Sequence, residues 1–127
     1  GNTVMIKIDI QSPTPIYEQI KTGFKGLVRK ALMLPGDAAP SIRTLATQLK
    51  LNPNTVARAY RELTAEGFFE SKRGEENIVS PRAGGLAQAD AKNLKARIAE
   101  AVADGLKNGL SDKDIEEIIN KVKRETI

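Results

Sequence analysis

The sequence predicts a mainly α-helical chain, with one small β-hairpin near its middle and a pair of helices at its C-terminal end. Three observations predict it. Two short segments of helical periodicity, 42–49 and 52–63, are separated only by Lys50 and Leu51. Two short apolar segments, 68–71 and 77–80, then flank a polar tip at Lys72-Arg-Gly-Glu-Glu76. Two amphipathic segments beyond residue 86 are joined by Asn108-Gly109. Short helices connected so tightly, followed by a hairpin, make a winged helix-turn-helix domain, expected over 5–80, with a helical tail over 86–127.

Residues 1–4 precede a methionine, so the native start is expected at Met5. Ile6, Ile8 and Ile10 alternate with Lys7 and Asp9, the period of a short strand or extended arm whose apolar side needs a surface to cover. Ser12-Pro-Thr-Pro15 breaks that pattern. Thr14 before Pro15 is expected to cap a helix whose apolar residues Ile16, Ile20, Phe24, Leu27, Val28 and Ala31 keep helical spacing to about Leu32. Leu34-Pro-Gly-Asp37 signals a turn. Ser41 then caps a second helix, turning Ile42, Leu45, Ala46 and Leu49 inward and leaving Arg43 near its N-terminal end.

Asn52 caps the next helix, and Pro53 takes the first helical position, where its missing N–H costs nothing. At 100° per residue, Val56, Ala59, Tyr60 and Leu63 share one side while Asn54, Arg58 and Arg61 face the other. The outward residues have base-reading chemistry. Asn pairs bidentately with adenine, Arg with guanine, and a Thr methyl touches the thymine methyl; Asn54, Arg58 and Thr55 supply all three. This is the pattern of a recognition helix, and Gly67 is expected to end it.

Composition narrows the alternatives. The chain has no cysteine and no histidine, which removes disulfides, thiolate zinc sites and the commonest general base, so neither an enzyme nor a cofactor is expected. No apolar run approaches the length of a membrane span, and a cytoplasmic protein is expected. The net charge is +4, and residues 1–85 carry 12 Lys/Arg against 8 Asp/Glu, whereas residues 86–127 carry 8 of each. A basic excess confined to the winged domain is compatible with a polyanionic partner. An adaptor that uses the same fold for protein contact is the second reading, and salt-sensitive retention on duplex DNA with a preferred site separates the two.

Pro81-Arg-Ala-Gly-Gly85 interrupts both periodicities and is expected to form the boundary. Beyond it Leu94, Ile98, Val102 and Leu106 form one apolar stripe, and Ile115, Ile118, Ile119 and Val122 another; Ser111 with Asp114 marks the start of the last helix. A lone helical hairpin cannot bury so many large aliphatic side chains. A second copy of the chain is the expected cover, giving a two-fold homodimer with its recognition helices about 34–36 Å apart and an inverted-repeat site on double-stranded DNA.

With these residues in view the chain resembles the GntR-type bacterial transcription regulators. The resemblance rests on Pro15-Ile-Tyr-Glu-Gln-Ile20, Pro35-Gly-Asp37, Pro40-Ser-Ile-Arg-Thr-Leu-Ala46, the whole segment 52–63 and Glu66-Gly67, in order and spacing. The short helical tail resembles that of the YtrA subgroup, which implies a dimerisation role for it. The resemblance further implies that Arg43, Asn52, Pro53, Asn54 and Thr55 lie at the major groove and Arg73 and Gly74 at the wing near the minor groove. Arg58 at the groove edge and Tyr60 at the DNA backbone complete the expected set. The wing tip departs from the family pattern: Gly74 is followed by Glu75, Glu76 and Asn77, and two carboxylates there repel phosphate. No residue names an effector, the operator or the regulated genes.

Overall fold

The computed structural model describes residues 6–72 and 76–126. Their elements are α1 (Ile16–Arg29), α2 (Ile42–Leu49), α3 (Pro53–Ala65), β1 (Phe69–Lys72), β2 (Glu76–Val79), α4 (Ala83–Lys107) and α5 (Asp112–Thr126). The chain divides into two compact units, Gly1–Ala89 and Asp90–Ile127, and the division falls inside α4. Among the described residues no helix is long and apolar enough to cross a membrane.

The first unit is closed around an aromatic centre. Phe24 of α1, Tyr60 of α3 and Phe69 of β1 meet edge to face, with ring centroids 5.1 to 5.6 Å apart. Ring edges are positive and faces negative, so each such pair adds roughly 0.5–1.5 kcal/mol beyond the area it buries. Ile20, Leu45, Val56, Leu63 and Val79 complete the core. The helical spacing that placed Val56, Ala59, Tyr60 and Leu63 on one side of α3 is the spacing that buries all four.

Several local expectations need correction. Residues 6–9 form no strand: Ile6 is buried against the bare backbone of Gly23 in α1, Ile8 is half-buried, and Ile10 is 80% exposed where the chain turns. The arm is pinned instead by one side chain. Asp9 N–H donates to Gln19 Oε1 at 2.8 Å, and Gln19 Nε2 donates back to the Asp9 carbonyl at 2.9 Å. Thr14 does not cap α1, because Pro15 occupies the N-cap position and makes no side-chain capping bond. The helix ends at Arg29 and not near Leu32: Ala31 adopts φ +58°, Leu32 N–H donates to the Leu27 carbonyl, and the reversal drops Met33 into the core.

Each wing strand begins one residue away from its expected start, and Phe69 pairs with Val79 and Lys72 with Glu76 in an antiparallel ladder. A third segment joins their outer edge. Gly36 N–H donates to the Val79 carbonyl, Val79 N–H to Asp37 and Ala39 N–H to Asn77, so the turn at residues 34–37 is followed by a stretch that pairs with β2.

The expected break at 81–85 is the start of α4. Ser80 Oγ accepts from Arg82 N–H, and Ser80 itself donates to the Gly67 carbonyl. Ala83 and Ala87 belong to the buried core and Leu86 packs against it, so the first turns of α4 are part of the first unit. Gly84 and Gly85 lie exposed on the other side of the helix, where a glycine costs stability but no packing.

Candidate nucleic-acid interface

The helix-turn-helix is set by three local devices. Ser41 Oγ accepts from Thr44 N–H at 3.0 Å and so caps α2. Lys50, in the left-handed region at φ +57°, ends that helix, and Leu51 N–H donates to the Ala46 carbonyl at 2.8 Å. Asn52 Oδ1 then accepts from Asn54 N–H at 2.8 Å, with Pro53 at the first position of α3. The turn between α2 and α3 is therefore closed by hydrogen bonds at both ends.

Arg43 on α2 and Asn52, Pro53, Asn54 and Arg58 along α3 are exposed, and Thr55 is partly so. Capping engages the side-chain carbonyl of Asn52, leaving its amide NH₂ as the group it offers outward. Tyr60 is a correction. Its side chain lies in the aromatic centre at 2% exposure, and its hydroxyl donates to the Pro40 carbonyl at 2.7 Å, so no phenol reaches a DNA backbone. Burial pushes the phenol well above the ordinary tyrosine range. Its work is indirect: it ties α3 to the residue before the Ser41 cap, three positions from Arg43. Arg73 and Gly74 lie outside the described residues.

Behind α3 stands an ionic network that periodicity alone did not disclose. Lys21 of α1, 7% exposed, sends Nζ to Glu62 at 2.8 Å and to Glu66 at 2.6 Å, with Glu18 at 3.8 Å. Lys25 Nζ reaches Glu66 at 2.7 Å and lies 5.0 Å from the centroid of the Phe68 ring. Burial acts to lower the Lys21 value, but the hydrogen bonds to Glu62 and Glu66 outweigh it and hold the ammonium above the ordinary lysine range. Hydrogen bonds from Lys21 and Arg58 hold Glu62 below the usual carboxylate range. Burial works to raise Glu66, and bonds from Lys21 and Lys25 bring it below that range too. The network fixes α3 against α1 on the side away from its N-terminal end. The pairs Glu18–Lys21 and Arg58–Glu62 have helical spacing visible in the sequence; the links between α1 and α3 depend on the packing of the helices.

The second unit is a hairpin built on its connection. Asn108 Nδ2 donates to the Asp104 carbonyl and Gly109 takes φ +97°. Ser111 and Asp114 cap α5 reciprocally, with Asp114 Oδ2 accepting from Ser111 N–H and Ser111 Oγ from Asp114 N–H. Leu110 and Ile115 close over Gly105, and Val102 and Ile115 are half-buried. The rest of the two stripes stays outside: Leu94, Ile98, Leu106, Ile118, Ile119 and Val122 are 45 to 63% exposed.

The gntR family of bacterial regulatory proteins matches residues 16–77. The chain is 40% identical over 119 residues to the HTH-type transcriptional repressor YtrA of Bacillus subtilis, covering 93% of this chain and 92% of that one. Among solved structures it is similar to a transcriptional regulator from Oenococcus oeni, with 29% identity, a TM-score of 0.70 and coverage of 91% of this chain and 96% of that one. It is also similar to YtrA from Sulfolobus acidocaldarius, a GntR-family transcription factor, with 37% identity, a TM-score of 0.62 and coverage of 78% and 98%.

Proposed function

The chain belongs to the gntR family of bacterial regulatory proteins, and from that premise we propose that it is a sequence-specific transcription repressor that binds an inverted-repeat operator as a homodimer. The observation that carries the reading is the exposed start of α3. Asn54, Thr55 and Arg58 stand on a helix whose opposite side is fully packed, and Arg43 stands exposed on α2. A helix held this firmly can enter a major groove without giving up its own structure. Repression is supported by the relative in Bacillus subtilis, which is a transcriptional repressor of nearly the same length.

The second unit supports the homodimer. Leu94, Ile98, Leu106, Ile118 and Ile119 are exposed on a hairpin whose polar surface carries equal numbers of acidic and basic residues. Fully burying one such side chain is worth roughly 1.5–3 kcal/mol, and these are about half exposed, so covering all five on each of two copies offers on the order of 10 kcal/mol against an association cost of roughly 4–15 kcal/mol. Two-fold pairing then calls for two half-sites of opposite orientation.

The test is binding of Arg43→Ala and Asn54→Ala to a duplex selected from random sequence. Each is expected to lose about 1–3 kcal/mol on that duplex and little on unrelated DNA. Equal weakening on all sequences would refute base reading by these residues.

A further inference from the structure

Arg58 leaves the outward side of α3 one turn beyond Asn54, yet its guanidinium does not reach straight out. Its Cζ lies 3.7 Å from the centroid of the Tyr17 ring, and its Nε donates to Glu62 Oε2 at 3.1 Å. Tyr17 stands in the first turn of α1; Glu62 is already held by Lys21 from the same helix. Arg58 is thus gripped on one face and at one edge by groups that are themselves fixed to α1.

That grip has little to do with stability. The Arg58 side chain remains 55% exposed, and an exposed pair four residues apart on a helix adds little to folding. Its geometry has another consequence. With Nε given to Glu62 and one face laid on the ring, the four N–H groups of Nη1 and Nη2 remain as a planar fork. Such a fork matches two acceptors side by side, whether O6 and N7 of guanine or two oxygens of one phosphate. An arginine loses much rotamer freedom on binding, and one already ordered on a plate loses less.

We propose that Tyr17 is a positioning residue for DNA recognition: its ring is the plate that aims the Arg58 fork, with Glu62 fixing the rotation of the guanidinium. The proposal rests on the DNA-binding reading above. It gives α1, which lies outside the helix-turn-helix, a part in binding DNA. Glu62 also remains ionised through its bonds from Lys21 and Arg58, so it keeps its hold on Nε at neutral pH.

A double-mutant cycle on the full chain tests it, read by fluorescence anisotropy on a duplex recovered from random DNA and on an unrelated duplex. Arg58→Ala weakens binding. Tyr17→Leu is expected to weaken it about two- to fivefold, the scale of an exposed cation–π contact. Tyr17→Phe keeps the plate and binds as the unaltered chain does. In the Arg58→Ala background Tyr17→Leu costs nothing further. A loss confined to the recovered duplex assigns the fork to a base edge, and an equal loss on both assigns it to phosphate; either upholds the positioning role. The proposal is overturned if Tyr17→Leu costs as much without Arg58 as with it, if Tyr17→Phe loses as much as Tyr17→Leu, or if Arg58→Ala binds normally. In that last case Arg43→Ala and Asn54→Ala still report on base reading. If the unaltered chain recovers no duplex at all, the DNA-binding reading itself fails, before any variant is made.

Discussion

The two compact units treat the same kind of side chain in opposite ways. In the first, Phe24, Tyr60, Phe69, Ile20, Leu45 and Leu63 are almost wholly withdrawn from water. In the second, Leu94, Ile98, Leu106, Ile118 and Ile119 stand roughly half exposed on well-formed helices. Both units obey the same rules of capping and periodicity; they differ in layers. Three helices and a hairpin enclose a centre, whereas two helices offer one shared side and leave another open. A chain that completes one core and leaves another open fits the proposed division of labour, with recognition in the first unit and pairing in the second.

The most damaging substitution opens the closed core. Phe24→Ala removes the ring that touches both Tyr60 and Phe69, and a thermal or denaturant melt should show a loss of about 3–5 kcal/mol. A loss below about 1 kcal/mol would mean that the centre is looser than its ring geometry indicates. The next breaks the open side. Ile98→Glu combined with Ile118→Glu should leave the far-ultraviolet signal of the helices unchanged and give a monomer by sedimentation at micromolar concentration. Its operator affinity should fall about 10²-fold, the lower end of what a tethered second site contributes. A dimer that survives both carboxylates would put the interface elsewhere.

The smallest effect concerns the ionic network between α1 and α3. Glu62 and Glu66 have folded-state values below their unfolded ones, so their contribution is fully present above the unfolded carboxylate value, about 4.3, and is lost as pH falls through the folded values. The melting temperature should therefore drop between neutral and strongly acid pH, and Lys21→Met should flatten that drop. An unchanged acid dependence in Lys21→Met would show that the network does not govern acid stability.

What the sequence discloses follows from range. The caps at Ser41, Asn52 and Ser111, the chain reversal at Gly67 and the buried side of α3 are written in residues within four positions of one another, and all are found in the structure. Helix ends that depend on the next segment are less legible. The apolar Ala31 continues the α1 pattern, but the chain reverses there because Met33 has a place in the core. Gly84-Gly85 looks like a linker until Ala83 and Ala87 are seen to pack inside the first unit. Tyr60 illustrates the same limit at the site. Its position on the inward side of α3 was evident, yet only the Pro40 carbonyl, 20 residues away, shows that its hydroxyl is already engaged. Arg58 and Glu62 have helical spacing, but nothing local brings Tyr17 beneath them.

Selecting bound sequences from random duplex DNA with the full chain reads both halves of the proposal at once, base reading by α3 and pairing of two copies. The expected result is enrichment of an inverted repeat whose half-site centres are one helical turn apart or a multiple of it. Enrichment of a single half-site without symmetry, or no enrichment above unselected DNA, would contradict it.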